Sequence, residues 1–169
     1  MDFESEMARR LFLKYATPCG KIYVKRRLMD KKYFNNLIDA VANEKEIPQG
    51  TESTFKLALE TCSKAAKTLG KNRIDEEAIR QSFWFDHDAI AKKRHELMRD
   101  FKLEECIVYP GEVNSINRRA LINTPVTTKF YRIDFVPDLG IGYNVTVHYD
   151  FVVEVIPKKD AQTLWRLKG

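Results

Sequence analysis

The feature that most constrains this chain is a change in the spacing of its apolar residues near residue 104. Before that point apolar side chains recur every three or four positions, as on one face of a helix, and after it they alternate with polar ones, as along a strand. Helices and strands bury their apolar faces in different layers of a fold. The sequence therefore predicts an α+β protein, with an all-helical domain over residues 1–104 and a β domain over residues 105–169.

Four or five helices are expected in residues 1–104. The first is predicted from about Phe3 to Tyr15, and the helix-breaking sequence Thr17-Pro-Cys-Gly20 is expected to end it. The stretch Ile22-Tyr-Val24 that follows is apolar but short, so it is interpreted as a strand or as extended chain.

Residues with short polar side chains mark the starts of the other helices. Asp30 is expected to cap the second helix, and Thr51 or Ser53 is expected to open the third. The acidic sequence Asp75-Glu-Glu77 favours another helix start, because negative charge is stabilising near a helix N-terminus. A segment over residues 88–101 either continues that helix or forms a separate one.

Residues 105–169 contain several short β-rich segments. Ile107-Val-Tyr109 leads into Pro110-Gly111, and the longest β-branched and aromatic run extends from Tyr143 to Ile156. Because closing a sheet removes its exposed edges, we expect a small closed or nearly closed antiparallel β-barrel. A short C-terminal helix from Lys158 to Leu167 is expected to cover it by burying Leu164 and Trp165.

Composition and charge exclude several classes of protein. The three cysteines form no Cys-x-x-Cys pair, so neither a zinc ribbon nor a disulfide framework is indicated. The net charge of +5 is spread along the chain, which does not favour a nucleic-acid partner. No apolar run approaches the roughly 20 residues that cross a bilayer, and the N-terminus is acidic, unlike a secretory signal; we expect a cytoplasmic protein. No phosphate-binding loop, dinucleotide turn, catalytic triad or His-Glu-x-x-His sequence is present, so an enzyme is not indicated.

Four features of the β domain occur in a fixed order. The sequence Cys106-Ile-Val-Tyr-Pro110-Gly111-Glu-Val113 opens the domain, and Tyr131-Arg-Ile-Asp134-Phe-Val136-Pro137-Asp138 follows. A Gly-Tyr-Asn turn then leads into Val145-Thr-Val-His148-Tyr-Asp-Phe-Val-Val-Glu154. In order and spacing this region, about 65 residues long, resembles the HypC/HupF family of hydrogenase-maturation chaperones.

The resemblance implies a function and a set of residues. Members of that family are small OB-like barrels that bind a scaffold protein, HypD, while the iron–cyanide–carbonyl unit of nickel–iron hydrogenase is built, and then escort the unit to the hydrogenase large-subunit precursor. By resemblance, Cys106 and His148 are the residues expected to bind the iron unit transiently. The motif positions expected to matter for the barrel and its partners are Pro110, Gly111, Val113, Asp134, Val136, Pro137 and Asp138. One difference is that Cys106 is internal, whereas the family's cysteine directly follows the initiator methionine.

The chemistry of these two residues agrees with such a role. A thiolate is a soft ligand that suits low-spin iron, and imidazole also binds iron. Two protein ligands leave coordination positions for exchange, which a carrier that must release its cargo requires. The role requires that the sulfur be reachable by solvent and lie near the imidazole. The alternative for each residue is structural, since free cysteine is among the most buried residue types.

Other residues are interpreted as structural. Cys19 and Cys62 have apolar neighbours along the chain, and His87 and His95 lie in a charged helical segment that favours a solvated face over a metal site.

Two other functions remain open. In one, the barrel binds single-stranded nucleic acid, with bases stacked on exposed aromatic rings beside Arg118, Arg119 and Arg132; the rings are those of Tyr109, Phe130, Tyr131, Tyr143 and Tyr149. In the other, the protein is a metal-free protein–protein adaptor whose mark would be an inaccessible Cys106.

Overall fold

A computed structural model describes all residues from Met1 to Gly169. The chain forms two compact units, residues 1–101 and 102–169, and their division lies three residues before the predicted boundary. The first unit is helical, and the second combines a five-stranded sheet with helices. The α+β class is therefore confirmed. None of the helices has the length and apolar character needed to span a bilayer.

The first unit contains six α-helices joined by shorter helical turns. They are α1 (Glu6–Ala16), α2 (Gly20–Lys25), α3 (Lys31–Ala42), α4 (Lys56–Thr68), α5 (Glu76–Gln81) and α6 (His87–Leu97). Thr17–Cys19 and Thr51–Phe55 are 3₁₀-helices, and Ser82–Asp86 is a π-helix that joins α5 to α6 without a break.

The helix starts predicted at Asp30 and at Asp75-Glu-Glu77 are confirmed, and an aspartate caps each of them. The Asp30 side chain accepts a hydrogen bond from the backbone N–H of Lys32, and the Asp75 side chain accepts one from Ala78. Each carboxylate thereby satisfies a backbone donor that has no partner inside its helix.

The predicted break after α1 is wrong in one respect. Residues 22–24 lie in α2 and form neither a strand nor extended chain. Pro18 occupies the first turn of the 3₁₀-helix, where the missing N–H is not needed. Gly20 is required by packing, because an added Cβ would lie 2.6 Å from Cδ2 of the Phe34 ring.

An aromatic cluster forms part of the core of the first unit. The rings of Tyr15 and Phe83 stack with their centroids 5.0 Å apart, and Phe12 lies 6.2 Å from Phe83. The Trp84 indole N–H donates a hydrogen bond of 2.8 Å to the Tyr15 hydroxyl, so the polar atoms of these two side chains are paired.

The second unit is built on one antiparallel sheet. After the short helix α7 (Leu103–Cys106), the strands are β1 (Tyr109–Ile116), β2 (Ala120–Asn123), β3 (Thr128–Tyr131), β4 (Asn144–His148) and β5 (Phe151–Val155), and α8 (Lys158–Lys168) follows. Their order in the sheet is β3-β2-β1-β4-β5. The predicted C-terminal helix is confirmed, and Leu164 is buried as expected, while Trp165 is partly exposed.

The sheet is open rather than a closed barrel. Its two outer strands are joined by one isolated parallel bridge between Arg132 and Phe151. In that bridge Arg132 donates its N–H to the Asp150 carbonyl, and Val152 donates to the Arg132 carbonyl. No regular strand pairing flanks this bridge. Strand β3 ends at Tyr131, one residue before the bridge.

The long β-rich run at 143–156 forms the two strands β4 and β5. The chain reverses at Tyr149 and Asp150, and His148 pairs with Phe151 across the hairpin. Tyr149 has a φ of +52°, which is uncommon for an aromatic residue.

Candidate functional site

Cys106 lies at the end of the one-turn helix α7, just before the chain enters β1. Its thiol is carried on a segment of only four helical residues, Leu103–Cys106, and the next residue, Ile107, is already extended. Cys106 has 8% of its surface exposed.

His148 is the last residue of β4 and is fully buried. Its Nε2 lies 2.8 Å from the backbone carbonyl oxygen of Cys106. The thiol sulfur of Cys106 and a ring nitrogen of His148 lie within 4.8 Å of each other. Two residues that are 42 positions apart in the sequence are thus side by side in the second unit.

The separation of these two donor atoms suits a shared metal. In a tetrahedral site with metal–sulfur and metal–nitrogen bonds of about 2.3 and 2.0–2.1 Å, the two donor atoms lie about 3.6 Å apart. Because the sulfur and the nitrogen are within 4.8 Å of each other, an approach of at most about 1.2 Å would let them share one ion. The donor set of one thiolate and one imidazole fits a soft or borderline metal.

The expectation that the sulfur is open to solvent is wrong. Cys106 is buried, and His148 has no exposed surface. Residues 145–149 are all buried. Both faces of β4 are therefore covered, and neither set of its alternating side chains faces solvent. Access of a partner or a metal to the sulfur is therefore restricted.

A second hydrogen bond joins the segment before β1 to the end of β4. The backbone N–H of Tyr149 donates to the carbonyl oxygen of Glu105 over 2.8 Å. Tyr149 makes this bond from the left-handed backbone conformation, which costs of the order of 1–3 kcal/mol for a residue other than glycine. Sequence reasoning missed this role, because nothing local to a tyrosine between two strands indicates a positive φ.

Pro110, Gly111 and Val113 have structural positions in β1. Pairing with β2 begins at Glu112, so Pro110 is paired with β4 alone, a position where a missing N–H is tolerated. An added Cβ at Gly111 would lie 2.4 Å from Cγ2 of Ile122. Val113 is buried against the same strand and pairs with Ile122.

The predicted positions Asp134, Val136, Pro137 and Asp138 lie in the loop between β3 and β4. Asp134 accepts two hydrogen bonds of 2.9 Å from the Arg132 guanidinium. Val136 donates its N–H to the Ile133 carbonyl, which forms a turn. Pro137 and Asp138 are exposed, so this turn is available to a partner.

The β4–β5 hairpin is surrounded by charged and aromatic groups. The Arg132 guanidinium carbon lies 4.6 Å from the centre of the Phe151 ring. The Lys129 ammonium lies 3.6 Å from a carboxylate oxygen of Asp150.

Burial, with a smaller contribution from the charge of Asp150, raises the pKa of Tyr131 well above its ordinary value. The Tyr131 phenol therefore stays neutral at any physiological pH.

The aromatic surface expected of a nucleic-acid module is not present as predicted. Tyr109, Tyr131 and Tyr149 are buried, and only Phe130 and Tyr143 are exposed. Buried rings cannot stack on bases.

The remaining cysteines and histidines are held by local packing in the first unit. Cys62 is completely buried in α4, and burial raises the pKa of its thiol to about 12. The His87 ring stacks on Phe83 at 5.8 Å, and His95 meets the edge of Phe101 at 5.4 Å.

Comparison of the chain with protein-family models, with curated protein sequences and with solved structures gives no match.

Proposed function

We propose that this protein is an accessory chaperone of nickel–iron hydrogenase maturation that holds an iron–cyanide–carbonyl unit transiently through Cys106 and His148. The observation that carries the proposal is the separation of their donor atoms, at most 4.8 Å, in the second unit. The resemblance of residues 105–169 to the HypC/HupF family supports the identity of the cargo. In this role the protein is not an enzyme, and it works in the cytoplasm.

The topology of the second unit supports an OB-like barrel. Three consecutive strands with the fourth returning beside the first, in the order β3-β2-β1-β4, form a Greek key. OB-folds are five-stranded Greek-key barrels that are partly open. The single parallel bridge of Arg132 with Phe151 is the point at which we propose that the barrel closes.

The burial of Cys106 defines how the cargo would enter. The segment that carries the thiol is one helical turn long, and two hydrogen bonds connect Glu105 and Cys106 to the end of β4. Each such bond contributes only about 0.5–1.5 kcal/mol net. Opening this segment locally therefore costs less free energy than unfolding the whole domain. We propose that a HypD-like scaffold protein, and later the hydrogenase large-subunit precursor, binds the open form. The exposed turn at Pro137 and Asp138 is the proposed contact with these partners.

The test is co-expression with the maturation partners, followed by purification, iron analysis and infrared spectroscopy. We expect bound iron and the stretching bands of cyanide and carbonyl, and we expect Cys106→Ala to remove them. Cys19→Ala, which removes a thiol from the first unit, is the matched control and should leave iron and bands unchanged. Undiminished iron and bands in Cys106→Ala would show that the assigned ligand is wrong.

A metal-free protein–protein adaptor is a second candidate, and the burial of Cys106 favours it. The two candidates differ in what a partner does to the thiol. A chaperone must expose Cys106 when its scaffold partner binds, so the labelling rate of this thiol should rise in the complex. An adaptor leaves the labelling rate of Cys106 unchanged.

A further inference from the structure

The hydrogen bond between His148 and Cys106 determines which ring nitrogen carries a proton. A carbonyl oxygen can only accept a hydrogen bond, so the Nε2 that lies 2.8 Å from the Cys106 oxygen must be the donor. A neutral imidazole has one N–H, and its other nitrogen then has the lone pair.

We propose that the Cys106 carbonyl fixes His148 in the Nε2–H tautomer, so that Nδ1 is the atom that binds the metal; this inference rests on the proposed metal-holding function. Ligation through Nε2 would break the buried hydrogen bond to the Cys106 carbonyl. Ligation through Nδ1 keeps that bond. Histidine ligands generally donate their second N–H to a carbonyl or a carboxylate, which fixes the ring orientation.

Cys106 therefore has two roles in the same site. Its thiol is a ligand, and its backbone carbonyl orients the second ligand. Release of the cargo is then coupled to the backbone, because a movement of α7 that withdraws the thiol also withdraws the group that orients the imidazole.

Tyr149 acts as a positioning residue for this arrangement. Its backbone N–H holds the Glu105 carbonyl, one peptide before the carbonyl of Cys106. The left-handed conformation of Tyr149, with a φ of +52°, brings this N–H to its acceptor directly after His148. The Tyr149 ring also lies 5.0 Å from the His148 ring, centre to centre; we assign the positioning to the backbone N–H and test the ring separately.

The test is nitrogen NMR of the full-length protein labelled with ¹⁵N-histidine, with Zn²⁺ as the metal probe. The chain has three histidines, and His87→Gln and His95→Gln assign the His148 signals by elimination. In the metal-free protein we expect a proton on Nε2 and none on Nδ1. Zn²⁺ should shift Nδ1 strongly while Nε2 keeps its proton. A proton on Nδ1, or loss of the Nε2 proton when Zn²⁺ binds, overturns the inference.

Two variants separate the roles of the groups involved. Cys106→Ala removes the thiol and keeps the carbonyl, so the Nε2–H tautomer should persist while the response to Zn²⁺ falls at least tenfold. A tautomer change in this variant would overturn the orienting role of the carbonyl. An unchanged Zn²⁺ response would instead contradict the proposed thiol ligand, and thus the proposed function, and leave the tautomer assignment standing. Tyr149→Gly keeps the N–H and adopts a positive φ readily, so it should retain the tautomer; a proton moved to Nδ1 would show that the ring is what positions His148.

Discussion

Cys62 lies in the core of the first unit, where burial raises the pKa of its thiol to about 12. The thiolate is the reactive form of cysteine. At pH 8 a thiol of ordinary pKa near 8.5 should therefore react on the order of a thousandfold faster than the Cys62 thiol. Cys19 is only partly buried. We therefore expect iodoacetamide to modify Cys19 in the native protein and to leave Cys62 unmodified.

Peptide mass spectrometry over a time course measures this difference. Full modification of all three cysteines in denaturant is the control, since it shows that every thiol is reduced and detectable. Equal native rates for Cys19 and Cys62 would contradict the buried position of Cys62.

A second prediction at the scale of single residues concerns acid stability. The Arg26 guanidinium makes two hydrogen bonds, of 2.7 and 2.8 Å, to the Asp100 carboxylate, and these hold the pKa of Asp100 at about 2. A carboxylate with a lowered pKa stabilises the fold above its unfolded pKa of about 3.9, and this contribution disappears as the pH falls through about 2.

Asp100→Asn should therefore lower the midpoint of urea unfolding at pH 6, and the difference from the wild type should vanish near pH 2. Denaturation series across this pH range measure the effect. Glu96→Gln changes an exposed carboxylate of α6 and serves as the control. A difference between Asp100→Asn and the wild type that stayed constant with pH would contradict the ion pair as its cause.

The elements of the second unit are held in register by close packing between strands. An added Cβ at Gly111 in β1 would lie 2.4 Å from Cγ2 of Ile122 in β2. Overpacking of this kind costs about 1–3 kcal/mol. We expect Gly111→Ala to lower the free energy of unfolding by that amount.

A double-mutant cycle with Ile122→Ala tests the cause. Ile122→Ala removes the methyl group that meets the new Cβ, so Gly111→Ala should cost less in that background than in the wild type. Equal costs in the two backgrounds would assign the effect to the β1 backbone instead. The backbone of Gly111 has no positive φ. A glycine is needed at this position because Ile122 of the neighbouring strand leaves no room for a Cβ.

Elements whose ends depend on local chemistry could be predicted from the sequence. The Asp30 cap and the helix start at Asp75 form as expected, because a carboxylate and the N–H two or three residues later need no distant partner. The helical state of residues 22–24 was not predicted: the glycine expected to break the chain begins α2 instead and packs closely against Phe34 of α3, a contact that the local sequence does not record.

At the scale of the whole molecule, the chain consists of two units that each have a core. In residues 102–169 the core includes Val113, Ile122, Val145, Val152 and Leu164, each with at most 1% of its surface exposed. We expect the fragment 102–169 to fold alone, with β-type circular dichroism and one cooperative thermal transition. A fragment without a cooperative transition would show that the sheet depends on residues 1–101. Gly111→Ala in the fragment should lower its transition temperature, which links the transition to this sheet.

The sequence by itself determined the α+β class, the positions of the capped helices, the β-rich character of the second half and its closing helix, because each follows from periodicity and from contacts a few residues apart. Only the tertiary structure decided that the sheet stays open, that the run at 143–156 turns at Tyr149, and that Cys106 is buried beside His148. These outcomes depend on hydrogen bonds between residues far apart in the chain, such as those from Tyr149 to Glu105 and from Arg132 to Asp150. The packing of whole strands determines whether such bonds form. A local pattern of side chains therefore cannot predict them.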